Sequence, residues 1–229
     1  MAMVYVDGSK QLVVTADTGL DMVVWRLDMG DSVNDVPRLW RKHDLPADSV
    51  KVVVEVPGTL SVVAGSRYHE LWSDLREAQP SSALLRTSLN TSSSVQSLAV
   101  CPQGRLAAAC MYVMYDTAAD VLVWDLKTLQ EVARLHTSYT TAAASSAIPQ
   151  RCLSTSPNGR HLVMGDERGL LLVWDLQMFK RIAAQVSKAQ VMCLVFSPGA
   201  EVLAAGGQEG LVRLLDWEEL LKSGVVGHD

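Results

Sequence analysis

No Cys-x-x-Cys pair occurs among the four cysteines, Cys101, Cys110, Cys152 and Cys193. Thiolate metal sites and redox pairs of that spacing are therefore not expected. Three of the four lie in or beside strand-like runs, where Cys behaves as a small apolar residue. Free thiols in a reducing compartment follow as the expectation. The five histidines, His43, His69, His136, His161 and His228, are scattered, and no two fall at metal-ligand spacing. There is no Gly-x-Ser-x-Gly elbow and no phosphate-binding glycine loop. The acidic stretch 28–35 does not have calcium-loop spacing. No cofactor, metal or catalytic group is therefore expected.

Basic clusters are also lacking, and the formal net charge is −5. Nucleic acid is not the expected partner, because phosphate binding needs a basic stripe. No apolar run is long enough to span a bilayer, so membrane insertion is not expected. The opening residues, Met-Ala-Met-Val-Tyr-Val-Asp-Gly, lack the charged and long apolar regions of a secretory signal. The cytoplasm is the expected location, with the nucleus left open. Finally, no segment carries a 3.6-residue stripe long enough for a stable helix. Residues 217–222 alone read as a single helical turn.

What is present is one strand-sized phrase written five times. Residues 170–176 read LLLVWDL and residues 121–126 read VLVWDL. Residues 22–27 read MVVWRL, residues 69–75 read HELWSDL, and residues 212–217 are worn down to VRLLDW. Trp25, Trp72, Trp124 and Trp174 anchor the first four units, and Leu215 holds the place in the fifth. The period is about 40 to 50 residues. A turn signal precedes each anchor: residues 7–10 (Asp-Gly-Ser-Lys), 56–59 (Val-Pro-Gly-Thr), 101–104 (Cys-Pro-Gln-Gly), 156–159 (Ser-Pro-Asn-Gly) and 197–200 (Ser-Pro-Gly-Ala). Proline sets the first φ of such a turn, and Gly or Asn accepts the positive φ that follows.

The chain thus divides into units of about 1–45, 46–92, 93–145, 146–188 and 189–229. Each reads as four short strands rich in Val, Leu, Ile and Trp, with Gly, Pro, Ser and Asn between them. The first unit gives strands at 3–6, 11–16, 21–27 and 37–40. The second gives 50–56, 60–64, 68–72 and 83–87, and the third 95–100, 105–111, 120–126 and 131–135. The fourth gives 151–154, 161–164, 170–175 and 181–185. The fifth gives 191–196, 202–205, 211–215 and 224–227. Long connections fall at 74–94 and at the small-residue segment 137–149, and an insertion falls at 110–120.

Four strands per period, closed by a Trp-Asp pair on the third, resemble the WD-repeat β-propellers, and the resemblance covers essentially the whole chain. The motif stands intact at Trp124-Asp125 and Trp174-Asp175; Arg26 replaces the Asp after Trp25. The implied fold is all-β, a propeller of about five four-stranded blades or an arc of a larger one. Packing blade on blade hides faces that one sheet cannot bury alone. Trp25, Trp72, Trp124, Asp125, Trp174 and Asp175 are the implied structural anchors. The family's Gly-His is missing before the first four blades; His136 is its internal relic, and Gly227-His228 resembles the opening of a sixth unit. The Asp of the family's tight turn is replaced by Arg168 and Glu209, with Asp166 as a substitute in the fourth unit. The Asp-His-Ser/Thr-Trp network is accordingly expected to be incomplete.

The resemblance implies a non-catalytic protein–protein interaction scaffold, a eukaryotic adaptor or subunit of a larger complex. A propeller enzyme with a channel site is the disfavoured alternative, because the first strands carry mostly Val, Leu, Ser and Cys. Trp124-Asp125-Leu126-Lys127 loosely resembles the Trp-Asp-x-Arg box of substrate receptors in cullin-type ubiquitin ligases, with Lys in place of the forked Arg. The expected partner-binding rim comprises the turns between second and third strands: Arg67, Tyr68, Tyr112, Met114, Tyr115, Glu167, Arg168 and Glu209. Aromatic and Met side chains there can form a hot spot. Five blades also raise the expectation of exposed end faces, to be covered by self-association or by a partner subunit completing the propeller.

Overall fold

The computed structural model describes residues 2–6, 12–16, 22–26, 38–42, 52–65, 69–73, 81–84, 93–104, 106–113, 120–137, 152–178 and 180–227. They form five antiparallel sheets. The first holds β1 (Ala2–Val6), β2 (Leu12–Ala16), β3 (Met22–Arg26) and β4 (Arg38–Lys42) in sequence order. The second holds β5 (Val52–Val56), β6 (Ser61–Gly65), β7 (His69–Ser73) and β8 (Ser81–Leu84). The third holds β9 (Ser93–Val100), β10 (Leu106–Val113), β11 (Asp120–Asp125) and β12 (Gln130–His136). The fourth begins with β13 (Cys152–Thr155), β14 (His161–Gly165), β15 (Leu170–Asp175) and β16 (Arg181–Gln185). The fifth has β17 (Val191–Phe196), β18 (Val202–Gly207) and β19 (Val212–Asp216).

The first strands of successive sheets lie side by side in the order β1, β5, β9, β13, β17, which is the blade order of a propeller. Among the described residues, β17 and β1 share no such packing. Side chains alternate across each strand, so every sheet has two faces. In the fourth, Leu162, Met164, Leu172 and Trp174 pack toward the third sheet. Val163, Leu171 and Val173 pack toward the fifth. The near-continuous apolar runs of the repeat phrase follow from this burial on both sides.

Trp124 and Trp174 are buried between blades. Trp25 is half-buried and donates from Nε1 to Thr15 Oγ1 at 2.9 Å, the Thr-Trp link of the family's network. Trp72 pairs with Val62 in its sheet; its side chain lies outside the described residues. In the fifth sheet Leu215 holds the anchor register opposite Leu203, just as Trp174 stands opposite Leu162. The aromatic is not lost. Trp217 sits two residues on, buried in the junction of the fourth and fifth sheets, edge-on to Phe196 with ring centroids 4.8 Å apart.

The Asp after each anchor has a local task. Asp125 Oδ1 accepts from Lys127 N (2.9 Å) and Thr128 N (3.0 Å). Asp175 Oδ1 accepts from Gln177 N (2.8 Å) and Met178 N (3.0 Å). Asp216, which the worn fifth repeat retains, accepts from Glu219 N at 2.9 Å. A short carboxylate bonding two or three residues ahead fixes the turn that leaves the third strand. Asp175 also pairs through Oδ2 with Arg160 Nε at 2.8 Å. Burial raises its pKa, but these bonds outweigh that and hold it below the usual carboxylate range.

Two expectations change. Residues 224–227 were read as the fourth strand of the fifth unit, but β20 (Val225–Gly227) pairs instead with β16 of the fourth sheet, Arg181 opposite Gly227 and Ala183 opposite Val225. The cause is α1 (Trp217–Ser223), which starts directly after β19 under the Asp216 cap. Its buried Trp217 and Leu220 pack into the junction and carry the chain back across it. The fourth sheet therefore has five strands and the fifth has three. The insertion expected from residue 110 also starts later. A bulge between Cys110 and Met111 lets pairing continue, so Tyr112 lies in β10 opposite Ser94 rather than in a turn.

Candidate interaction cleft between the fourth and fifth sheets

The turn between β14 and β15 is built by Asp166. Its Oδ1 accepts from Arg168 N and Leu170 N, both at 2.8 Å. Gly169 closes the turn at φ +78°, and a Cβ there would lie 2.3 Å from Ser187 O. Only glycine allows this approach. The Gly169 carbonyl accepts from Val186 N (3.0 Å) and Ser187 N (3.1 Å), and the Asp166 carbonyl from Val191 N (2.9 Å). The turn is thereby fastened to the segment linking β16 to β17.

The turn between β18 and β19 completes the other wall. Gln208 N donates to Gln190 O at 2.8 Å. Ser187 Oγ donates to Glu209 Oε1 at 3.0 Å, and Arg213 pairs with the same oxygen. Glu209 is held below the usual carboxylate range, first by its own backbone N–H and then by the Arg213 side chain. Gln185 ties the β14–β15 turn to the segment linking β16 to β17, donating from Nε2 to Arg168 O at 2.7 Å and to Ser187 O. The result is an open cleft of about 500 Å³ lined by Gln185, Val186, Ser187, Lys188, Ala189, Glu209 and Arg213.

Of the rim residues expected from sequence, Glu209 lines this cleft, and Glu167 and Arg168 occupy the turn fastened to it. Tyr112 lies in β10 in another sheet. Arg67, Tyr68, Met114 and Tyr115 fall outside the described residues. Gln185, Ser187, Lys188 and Arg213 were not legible, because they meet only when two blades are packed together. Lys127, the departure from the cullin-receptor box, is exposed in the turn that Asp125 closes.

The polar groups of the cleft bond to one another. Ser187 Oγ is bonded to an ion-paired carboxylate, not to a histidine base. Among the described residues no group of three or more His, Cys, Asp or Glu could hold a metal ion. Behind the wall, Asp166 is almost wholly buried. Its Oδ2 has no hydrogen-bond partner. Burial raises the pKa of Asp166 against the opposing bonds from Leu170 and Arg168.

Residues 180–216 match the family model described as "WD domain, G-beta repeat". The match runs from β16 through β19, the outer strand of one blade and three strands of the next. Mitogen-activated protein kinase-binding protein 1 of Homo sapiens is 33% identical over 70 residues, covering 29% of this chain and 5% of that protein. Its Mus musculus counterpart is 31% identical over 70 residues, with the same shares. The chain thus spans a small fraction of the curated relatives it matches. Among solved structures, Chaetomium thermophilum Sqt1 bound to the N-terminus of the ribosomal protein L10 superposes with a TM-score of 0.74. That likeness covers 95% of this chain and 58% of the other at 17% identity, a similarity of fold.

Proposed function

We propose that this chain, which has the β-propeller fold and matches a WD repeat over residues 180–216, is a non-catalytic protein–protein interaction scaffold, an adaptor or subunit of a larger cytoplasmic complex. Its rim cleft between the fourth and fifth blades receives an extended peptide segment of the partner. The observation that carries this reading is the cleft itself. Val186 and Ala189 give it apolar surface, Lys188, Glu209 and Arg213 give it charge of both signs, and Gln185 and Ser187 fix its shape. A fixed polar frame around an apolar surface suits peptide recognition. A protein of the same fold bound to the N-terminus of another protein supports the reading.

The test is affinity purification of partners followed by quantitative binding with cleft variants. Lys188→Glu and Ala189→Trp should each weaken the bound partner by more than about 1 kcal/mol while leaving the melting temperature near wild type. A partner that binds both variants with wild-type affinity does not use the cleft, and the reading fails.

A further inference from the structure

The hydrogen-bonding capacity of the rim cleft is unevenly spent. Glu209 Oε1 accepts from Ser187 Oγ at 3.0 Å and pairs with Arg213 Nη1, and the residue's own backbone N–H serves the same carboxylate. Ser187 Oγ also accepts from Ala189 N at 3.0 Å, so both its donor and an acceptor site are in use. Gln185 Nε2 is engaged by Arg168 O and Ser187 O. Among the described residues Glu209 is the one carboxylate of the lining, and it is held by groups of the wall itself.

The cations are not held in this way. Lys188 is exposed in the segment between β16 and β17, and no carboxylate among the described residues pairs with it. Arg213 spends Nη1 on Glu209, and its remaining guanidinium donors have no partner among the described residues. Glu209 and Arg213 cancel in charge, and the adjoining turn adds Glu167 and Arg168, neighbours of opposite sign. Lys188 therefore leaves the cleft with an uncompensated positive charge. Its unspent polar capacity is mainly that of donors; Gln185 Oε1, the acceptor that remains, suits a backbone N–H.

We propose that the cleft selects an acidic peptide: an Asp or Glu side chain of the partner's extended segment, its carboxylate held by Lys188 Nζ and the remaining donors of Arg213, with flanking aliphatic atoms on Val186 and Ala189. The proposal deepens the reading of the cleft as a peptide site and rests on it. Lys188 supplies the net charge, and the planar guanidinium of Arg213, fixed by Glu209, supplies direction. A basic segment would face Lys188 with no free acid to pair with, so the same charge that attracts one class of segment rejects the other. A phosphorylated side chain calls for a cluster of arginines. One ammonium and one partly used guanidinium match a single carboxylate.

The experiment selects short random peptides displayed on phage against the full chain, with the Ala189→Trp protein in parallel to mark those that use the cleft. Cleft binders should share an Asp or Glu at one position. In the synthetic peptides, replacing that residue by Asn or Gln should weaken binding about tenfold, and added salt should weaken the acidic peptide more than its amide. Selection against Lys188→Glu should turn the shared position to Lys or Arg. Cleft binders without a shared acid would overturn the proposal, as would amide peptides that bind as tightly as acidic ones. Phosphoserine at the shared position binding more than about tenfold tighter than Asp or Glu would overturn it in favour of a phosphopeptide. The change on the peptide leaves the protein untouched, so this outcome does not depend on how a variant folds. If no peptide is selected, or none is lost with Ala189→Trp, the peptide-site reading itself fails and takes this proposal with it.

Discussion

His161 meets Trp217 edge to face, ring centroids 5.4 Å apart at 69°, although 56 positions of chain separate them. The imidazole stands in β14 of the fourth blade and the indole at the head of α1, so the pair closes the base of the last junction. Nδ1 of His161 is buried without a hydrogen-bond partner. Burial lowers the pKa of the imidazole, Asp175 pulls it up, and Arg160 pushes it down, with a net shift below 6.5.

The sign of the pH effect follows from that shift. Between its lowered folded value and about 6.5, the unfolded chain binds more protons than the folded one. Stability from this site is complete above that window and is lost as pH falls through it. The melting temperature of His161→Phe, which keeps the edge contact, should fall less than wild type between pH 7.5 and 5.5. Identical slopes for the two proteins would assign the acid sensitivity elsewhere.

Trp217 and Trp174 should behave as equivalents despite their different addresses in the repeat. Each is a buried indole between two sheets. Truncation to Ala should cost about 3–5 kcal/mol in either case, measured by urea denaturation. A Trp217→Ala cost below 1 kcal/mol would show that Leu215 alone fills the anchor place.

Asp166 should oppose folding when ionised. Its folded pKa is raised by burial, so the folded chain binds more protons than the unfolded one between about 3.8 and the raised value. Stability therefore declines as pH rises through that window. Asp166→Asn keeps the carbonyl that accepts from Arg168 N and Leu170 N and removes the charge; it should be at least as stable as wild type at pH 7. Asp166→Ala loses the turn bonds and should cost about 0.5–2 kcal/mol. An Asn variant as unstable as the Ala variant would mean that the charge itself is needed.

The cysteines should separate by reactivity. Cys152 is buried between the fourth and fifth blades, and burial pushes its thiol pKa up to about 12. Cys193 occupies the same register one blade later and is exposed. Brief iodoacetamide treatment of the native protein should label Cys193 and spare Cys152, because the thiolate is the nucleophile. Peptide mapping checks this, and equal labelling at both positions would mean that the junction opens readily.

The parts of this architecture that repeat were the parts legible in sequence. Trp124 and Trp174 recur because each junction needs one large apolar body, and the Pro-Gly turns recur because each blade needs the same reversal. The place of Trp217 was hidden, since its equivalence to an anchor is spatial and its position in the phrase is off by two. The pairing of β20 was hidden for a related reason. A Val-Val-Gly segment suits many sheet edges, and the route of α1 chooses among them. The cleft was half legible: hairpin turns announced Glu167, Arg168 and Glu209, whereas Gln185 and Lys188 lie in a connection without a motif and gain their role from the neighbouring blade.

The return of β20 to the fourth sheet also has a consequence for how the molecule opens. Its pairing with β16 ties the tail of the fifth sheet to the body of the fourth, with Trp217 and Leu220 clamped between them. Neither sheet can swing away without breaking that clasp. The backbone amides of β14 through β19 should therefore exchange with solvent deuterium as one cooperative unit, sharing a single opening free energy.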